Sequence, residues 1–176
     1  MSTRERILDV ALDLFAEQGF GGTTITAVEA RVGLTPGTGS FYRHFPSKEA
    51  LLRAAVEREV ARCRAEIAQA RAVPIVAPDP QHQRVLELEH ALRDVRRFDR
   101  LLRLTLTEGD RVPELREAIT TALRGTDELL GPEDVRTVVV LAALTGYHLS
   151  SLVQGRPFQG VAEADFLHAL AELTAS

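Results

Sequence analysis

The residues best suited to chemistry lie in one short stretch between Thr23 and Lys48. Small and hydroxylic residues fill its middle and hydrogen-bond donors follow them: Thr35, Pro36, Gly37, Thr38, Gly39, Ser40, Tyr42, Arg43 and His44. Backbone N–H groups and hydroxyls that no large side chain shields can approach phosphates and base edges closely. The stretch carries three positive charges against Glu29, in a chain whose formal net charge is -4. This pattern favours contact with nucleic acid, although its charge alone would favour a small solvated helical cluster.

No arrangement typical of a catalytic or metal site is found in the sequence. Ser150 and Ser151 lack a GxSxG elbow, and Cys63 has no evident base beside it. No two histidines of the C-terminal part are four residues apart: His82, His90, His148 and His168. We therefore expect no catalytic residue, no metal and no cofactor, and we do not expect an enzyme. The single cysteine gives no sign of an oxidising compartment, so we expect a cytoplasmic protein.

The apolar pattern predicts the helices that must position the basic stretch. Apolar residues recur at helical spacing from Arg4 to Gln18. Ser2 and Glu5 supply a capping box at the start of this helix, and Gly19 stands where a left-handed residue would end it. The residues before this helix are polar, and no run approaches the roughly 18 apolar residues needed to span a bilayer. We therefore expect no membrane partner.

Two shorter helices follow the first. Thr23 or Thr24 can cap a second helix that runs to about Val32, and Gly33 would end it. Thr35 can cap a third short helix, with a proline at its first position. Two short helices joined by a tight turn that contains glycine, behind an amphipathic helix, are the plan of a helix-turn-helix. The N-terminal end of the third helix would then be the part that enters the major groove.

The rest of the chain is also predicted to be helical. A long helix is expected over 48–71, a proline-rich loop over 73–83, and further helices over 83–93, 98–108, 114–130, 133–154 and 164–174. No window alternates with a period of two residues between turn signals, and only 138–140 is ambiguous. The expected fold class is therefore all-α.

The stretch from Gly33 to Leu52 resembles the DNA-binding signature of TetR-type transcriptional regulators. The similar residues are Gly-Leu-Thr-Pro at 33–36 and Phe-Tyr-Arg-His-Phe-Pro-Ser-Lys-Glu-Ala-Leu-Leu at 41–52, preceded by a helix that ends in Phe, Gly and a Thr-Thr pair. The resemblance implies DNA binding by the first three helices, over 1–46 with the motif at about 24–45. It implies a connecting helix over 47–72, and a helical ligand-binding and dimerisation domain over 73–176. The candidate DNA contacts are Thr24, Thr35, Pro36, Gly37, Thr38, Ser40, Tyr42, Arg43, His44 and Lys48.

Two features depart from the family pattern. Tyr42 follows the turn glycine Gly33 by nine positions where seven is usual. Glu29 stands where the second helix usually carries a small residue, and Val32 stands where alanine is usual. We expect Glu29 to point outward if the helices are slightly rotated. Both departures affect which residues read bases more than they affect the fold.

The C-terminal part offers candidates for self-association and for a ligand. Between 135 and 153 apolar residues occupy nearly all sides of the predicted helix, which must then be covered on two faces. A two-fold interface is the commonest solution, and its candidate residues are Val135, Val138, Val139, Ala142, Gly146, Leu149, Phe166 and Leu170. The candidate ligand contacts are Leu102, Leu106, Tyr147, His148 and Ser151. The arginine-rich stretch 93–103 is expected to be a solvated helix face in preference to an anion site.

These observations predict a homodimeric, ligand-responsive regulator, a repressor that binds a palindromic operator on double-stranded DNA and is released by a small-molecule effector. The alternative is a helical small-molecule sensor or carrier that does not bind DNA, in which Glu29 and the two extra residues spoil the contact.

Overall fold

The structure is a computed structural model that describes residues 2–35, 41–108, 112–113, 116 and 135–175. Within these ranges it contains helices and no strand, so the predicted all-α class is confirmed. The helices are α1 (Thr3–Gly22), α2 (Ile25–Val32), α3 (Lys48–Arg71), α4 (Pro80–Arg97), α5 (Asp99–Glu108), α6 (Val135–Gln154) and α7 (Glu163–Leu173). Short 3-10 turns lie at Phe41–Arg43 and Phe158–Gly160. The helix predicted over 114–130 lies outside the described residues.

The described residues form two compact units. Unit 1 comprises those of 1–62 and 99–125, and unit 2 those of 63–98 and 126–176. Helix α3 is continuous along the chain and contributes its first fifteen residues to unit 1 and its last nine to unit 2. The predicted domains, divided at residues 46 and 72, were defined by function: DNA binding, connection, and ligand binding with dimerisation. The two units do not test that division, which stays a prediction.

Helix α1 begins at its predicted capping box. The Ser2 hydroxyl accepts a hydrogen bond from the Glu5 N–H at 3.2 Å, and the Glu5 carboxylate accepts one from the Ser2 N–H at 2.6 Å. The helix was predicted to end at Gly19, but it continues through a kink there to Gly22. Gly19 has φ 75° and ψ 166°, a conformation that only glycine adopts readily, and a Cβ at this position would collide with the Glu108 carboxylate. Glycine here permits a close tertiary contact and does not act as a cap.

The core of unit 1 is built from the apolar faces of α1, α2, α3 and α5. Its fully buried members include Ile7, Leu12, Phe15, Val28, Phe41, Leu51, Leu52, Val56 and Leu104. Each such side chain stabilises the fold by about 1.5–3 kcal/mol relative to an exposed one. The predicted bounds of α3 are confirmed, and the Ser47 hydroxyl caps this helix by accepting from the Ala50 N–H at 3.1 Å. The segment that carries the candidate DNA contacts is thus anchored on both sides.

Unit 2 is built around α4, α6 and α7. Their shared core contains Val85, Leu88, Leu92, Leu144, Leu167, Leu170 and Ala171. Helix α4 begins three residues before the predicted Gln83, at Pro80. The Asp79 carboxylate explains the difference, because it accepts hydrogen bonds from the N–H groups of Gln81 and His82, each at 3.0 Å. An Asp-Pro pair that caps and starts a helix had been assigned to the loop.

Candidate functional site

Helix α2 has defined ends that redirect the chain toward the candidate DNA-contacting segment. The Thr24 hydroxyl caps its start by accepting from the Ala27 N–H at 3.1 Å, so the predicted cap is confirmed. Gly33 ends it in the left-handed region at φ 82°, and the next N–H, from Leu34, donates to the Glu29 carbonyl at 2.8 Å. Thr24 is exposed at the positive end of α2, where a phosphate is favoured.

Two buried phenylalanines fix the segment that follows. Phe41 is fully buried and Phe45 is 2% exposed, with their ring centroids 5.8 Å apart. Between them, Tyr42 is 61% exposed and both Arg43 and His44 are exposed as well. The anchors therefore leave three hydrogen-bonding side chains exposed to solvent, where they are free to contact phosphates or base edges. The prediction that the phenylalanines belong to the core is confirmed.

The other candidates of this segment are placed as follows. Thr35 is exposed just after the α2 turn. Pro36, Gly37, Thr38 and Ser40 lie outside the described residues. Thr35, Tyr42, Arg43 and His44 are therefore each exposed to solvent, and their roles on DNA stay predictions.

Lys48, the only lysine in the chain, connects three helices of unit 1. Its ammonium donates hydrogen bonds to the Phe20 carbonyl at 2.6 Å and the Thr23 carbonyl at 2.9 Å, and it lies 4.2 Å from the centroid of the Phe20 ring. Carbonyls at the end of a helix attract a cation. Lys48 thus clamps the start of α3 to the junction between α1 and α2, and this use of its donors competes with the predicted phosphate contact.

Glu29 does not point outward, contrary to the expectation. Its side chain is buried, with 2% of its surface exposed. The last turn of α2 is instead held from α1 by Arg6, whose guanidinium donates to the Val32 carbonyl at 2.5 Å. The negative charge that was expected to disturb a DNA contact is therefore kept away from the surface of α2.

The arginine-rich stretch is exposed at Arg93, Arg96 and Arg103, as expected for a solvated helix face, and each of its arginines meets a carboxylate. The pairs are Arg93–Glu89, Arg96–Glu163, Arg97–Glu66, Arg100–Asp9 and Arg103–Asp99. Arg100 lies 3.1 Å from Asp9 and 3.5 Å from Asp13, and it links α5 to α1 within unit 1. Burial raises the pKa of Asp13, and the charge of Arg100 opposes that rise. The pairs of Arg96, Arg97 and Arg100 join separate helices, and spacing along the chain does not reveal them.

The five candidate ligand contacts lie in two different units. Leu102 is half-buried and Leu106 is 55% exposed, both on α5 of unit 1. On α6 of unit 2, Tyr147 stacks on Phe166 with centroids 4.2 Å apart. Tyr147 also donates its hydroxyl to the Val161 carbonyl at 2.9 Å, and the Ser151 hydroxyl accepts from the Phe158 N–H at 3.0 Å. His148 is half-buried beside them. The two hydroxyls therefore stabilise the connection from α6 to α7.

An open cavity of about 430 Å³ is formed within unit 2 by α4, α6 and the ends of α3 and α7, and Arg71 and Arg136 stand exposed in its wall. Its lining, which we call the arginine cavity, consists of Arg71, Arg84, Glu87, Leu88, Ala91, Arg136, Thr137, Val140, Leu141 and Thr174. None of the predicted ligand contacts is among them. The missed signal was the spacing of Arg84, Glu87, Leu88 and Ala91, which places them along one side of α4.

The candidate interface residues divide into an exposed group and an internal group. Val135, Val138 and Val139 are 80%, 59% and 53% exposed, and Ala142 and Gly146 are exposed as well. We call these five residues the α6 stripe. Leu149 is half-buried, Phe166 packs on Tyr147, and Leu170 belongs to the core of unit 2. By length and composition α6 is apolar enough to cross a membrane, with a mean hydropathy of 1.3, but a core helix of a soluble protein passes the same test.

Known proteins match this chain in two ways. The family model described as "Bacterial regulatory proteins, tetR family" matches residues 7–55. The HTH-type transcriptional regulator UidR of Escherichia coli (strain K12) is 42% identical over 69 residues, which are 37% of this chain and 34% of UidR. The matched segments span only 18% to 34% of the lengths of the curated relatives.

Solved structures extend the likeness to the whole chain. The putative transcriptional regulator SCO7518 from Streptomyces coelicolor A3(2) is 26% identical over 99% of both chains, with a TM-score of 0.68. The multidrug binding protein EbrR complexed with ethidium is 19% identical over 98% of both chains, also with a TM-score of 0.68, and shares the fold. Residues 7–55 thus match the tetR family of bacterial regulatory proteins, and over its whole length the chain is similar in fold to these solved proteins.

Proposed function

We propose that the protein is a transcriptional repressor that binds a palindromic operator as a homodimer and leaves it when a small molecule binds. The observation that carries the proposal is the exposure of Tyr42, Arg43 and His44 between two buried phenylalanines, just beyond a capped α2 that ends in a left-handed glycine. Side chains held in this way can contact phosphates and base edges without a loss of core packing.

Self-association is supported by the α6 stripe. Its three valines are each more than half exposed and stand beside two small residues, which permit a second helix to approach closely. Exposed apolar surface of this kind on a soluble protein marks an interface. A two-fold dimer would present two copies of the DNA-contacting segment to half-sites one helical turn apart, or a multiple of it. A Val139→Glu variant should sediment as a monomer, whereas Val76→Glu, at an exposed valine in the loop before α4, should remain a dimer.

Release by an effector is supported by the path of α3. This helix begins at Lys48 in unit 1 and ends at Arg71, which lines the arginine cavity in unit 2. A molecule that binds one arrangement of α3 more tightly than the other shifts the population of DNA-competent dimers. EbrR, a protein of the same fold, was solved with ethidium bound. Small-molecule control is consistent with that example.

The experiment is a gel retardation assay with DNA from the region upstream of the protein's own gene. We expect a sequence-selective shift whose affinity falls steeply with salt, and which Tyr42→Ala weakens. A scrambled fragment of equal length provides the control. Absence of a selective shift at low salt would favour the alternative, a helical sensor that does not bind DNA. The burial of Glu29 removes one of the two reasons for that alternative.

A further inference from the structure

We propose that the arginine cavity takes an anionic effector, a molecule with a carboxylate or another acidic group on an apolar body. This inference rests on the proposed function, since it names the ligand class of the regulator. It concerns the chemistry of one cavity within unit 2, and all of its lining residues belong to that unit.

The charge of the lining favours an anion. Arg71, Arg84 and Arg136 supply three guanidinium groups, and Glu87 supplies the one carboxylate of the lining. Glu87 is already engaged, because its carboxylate accepts a hydrogen bond from the Gln83 side chain at 2.9 Å. Asp94, which pairs with Arg71 beside the lining, offsets one further charge. A cation in the cavity would therefore still meet an excess of positive charge, whereas an anion would offset that excess.

The guanidinium groups of the cavity retain donors for a ligand. Arg71 directs two N–H groups at the Asp94 carboxylate, at 3.3 and 3.4 Å, and Arg84 directs one at the Thr174 carbonyl. Each guanidinium has five N–H donors in a rigid fork, so both side chains are held in place with donors to spare. No carboxylate of the described residues pairs with Arg136. Fixed guanidinium groups of this kind suit the bidentate recognition of a carboxylate.

The remainder of the lining suits an apolar body. Leu88, Ala91, Val140 and Leu141 form the apolar part of the wall, and the first three belong to the core of unit 2 or pack against it. The volume of about 430 Å³ falls in the usual range of small-molecule sites, about 300–1,000 Å³. A ligand with an acidic head and an apolar body would match both halves of this wall.

The test compares two dyes that differ in one charge. Binding of 1-anilinonaphthalene-8-sulfonate, which carries a sulfonate, and of the neutral N-phenyl-1-naphthylamine is measured by fluorescence titration of the full chain. We expect the sulfonate dye to bind more tightly, and Arg136→Gln to weaken it by roughly tenfold while the neutral dye is unaffected. Leu141→Phe, which fills the cavity, should weaken both dyes. Arg93→Gln, which removes a charge paired with Glu89 away from the lining, should change neither.

Two results would overturn the inference. Equal affinity for the two dyes, with no effect of Arg136→Gln on either, would mean that the charge of the cavity does not select its ligand. Tighter binding of the cationic dye ethidium than of the sulfonate dye would reverse the predicted sign. The retardation assay is run on the same preparation without a dye. If either result occurs while the DNA shift remains selective, only the cavity inference is wrong and the repressor proposal is unaffected. If the DNA shift alone is lost, the repressor proposal is wrong and the charge preference of the cavity is unaffected.

Discussion

Replacement of Lys48 by methionine separates a structural clamp from a phosphate contact. Methionine keeps most of the apolar stem and removes the ammonium, which makes two hydrogen bonds to carbonyls at 2.6 and 2.9 Å and lies 4.2 Å from the Phe20 ring centroid. A hydrogen bond that involves a charged group contributes about 1.5–3 kcal/mol when it is well shielded. Because Lys48 is only half-buried, water can replace part of this interaction in the variant.

The expected loss follows from these contacts. For each hydrogen bond from the ammonium to a carbonyl we assume a contribution to stability of about 1 kcal/mol, less than for a fully shielded bond. For the contact with the Phe20 ring we assume about 0.5 kcal/mol. The free energy of unfolding should therefore fall by about 2–3 kcal/mol, measured by urea titration followed by circular dichroism. The plot of log affinity for DNA against log salt should keep its slope, because the lost ammonium was directed at carbonyls.

Arg43→Gln is the matched control. It removes the same charge from an exposed side chain, so we expect unchanged stability and a slope that is lower by about 0.9, the value for one released counterion. The reasoning about Lys48 is refuted if Lys48→Met leaves the unfolding free energy unchanged and lowers the slope by that amount. Lys48 would then be the phosphate contact that its place in the sequence predicted.

Three further predictions concern unit 1. Gly33→Ala should lower the free energy of unfolding by about 1–2 kcal/mol, because φ is 82° there, whereas Gly21→Ala, where a Cβ meets nothing, should not; urea titration distinguishes them. Arg100→Met should lower the free energy of unfolding by about 1–2 kcal/mol in the same assay, because Arg100 joins α5 to α1. Arg93→Met should lower it by less than about 0.5 kcal/mol, because Arg93 pairs only within its own helix; equal losses would contradict the tertiary role of Arg100. Hydrogen bonds from Ser2 hold the pKa of Glu5 below its ordinary 4.5. This cap therefore stabilises the fold above that pH, and its contribution is lost as the pH falls. Glu5→Gln should reduce the decline of the free energy of unfolding that is measured from about pH 5 to about pH 3. An unaltered decline would show that the cap does not contribute.

Local signals were sufficient for most helix bounds. The capping box at Ser2, the Thr24 cap and the left-handed Gly33 each act within four residues of the chain, and the structure confirms all three. The bounds of α3 could be predicted for a similar reason, because its apolar spacing and the serine before it are continuous features of the sequence. Gly19 failed as a stop signal because its role depends on a side chain from α5, about ninety residues away.

Contacts between helices could not be predicted from the spacing of residues along the chain. The pairing of Arg100 with Asp9 and the clamp from Lys48 to the Phe20 carbonyl join residues that are distant in the sequence. Burial of Glu29 depends on how α2 packs against its neighbours, and the pattern of apolar residues within this short helix does not determine that packing. The arginine cavity was missed because Arg71 and Arg136 look like ordinary surface residues until three helices bring them together. Family resemblance pointed to the segment proposed to contact DNA but carried no information on this cavity.

The central claim is that the segment from Thr24 to Lys48 forms the DNA interface. Hydrogen–deuterium exchange of the full chain, with and without DNA from upstream of its gene, tests it most directly. We expect slower exchange on DNA binding in peptides that cover this segment, and unchanged exchange in peptides from α7. Protection that appears in α7 with none between Thr24 and Lys48 would contradict the account.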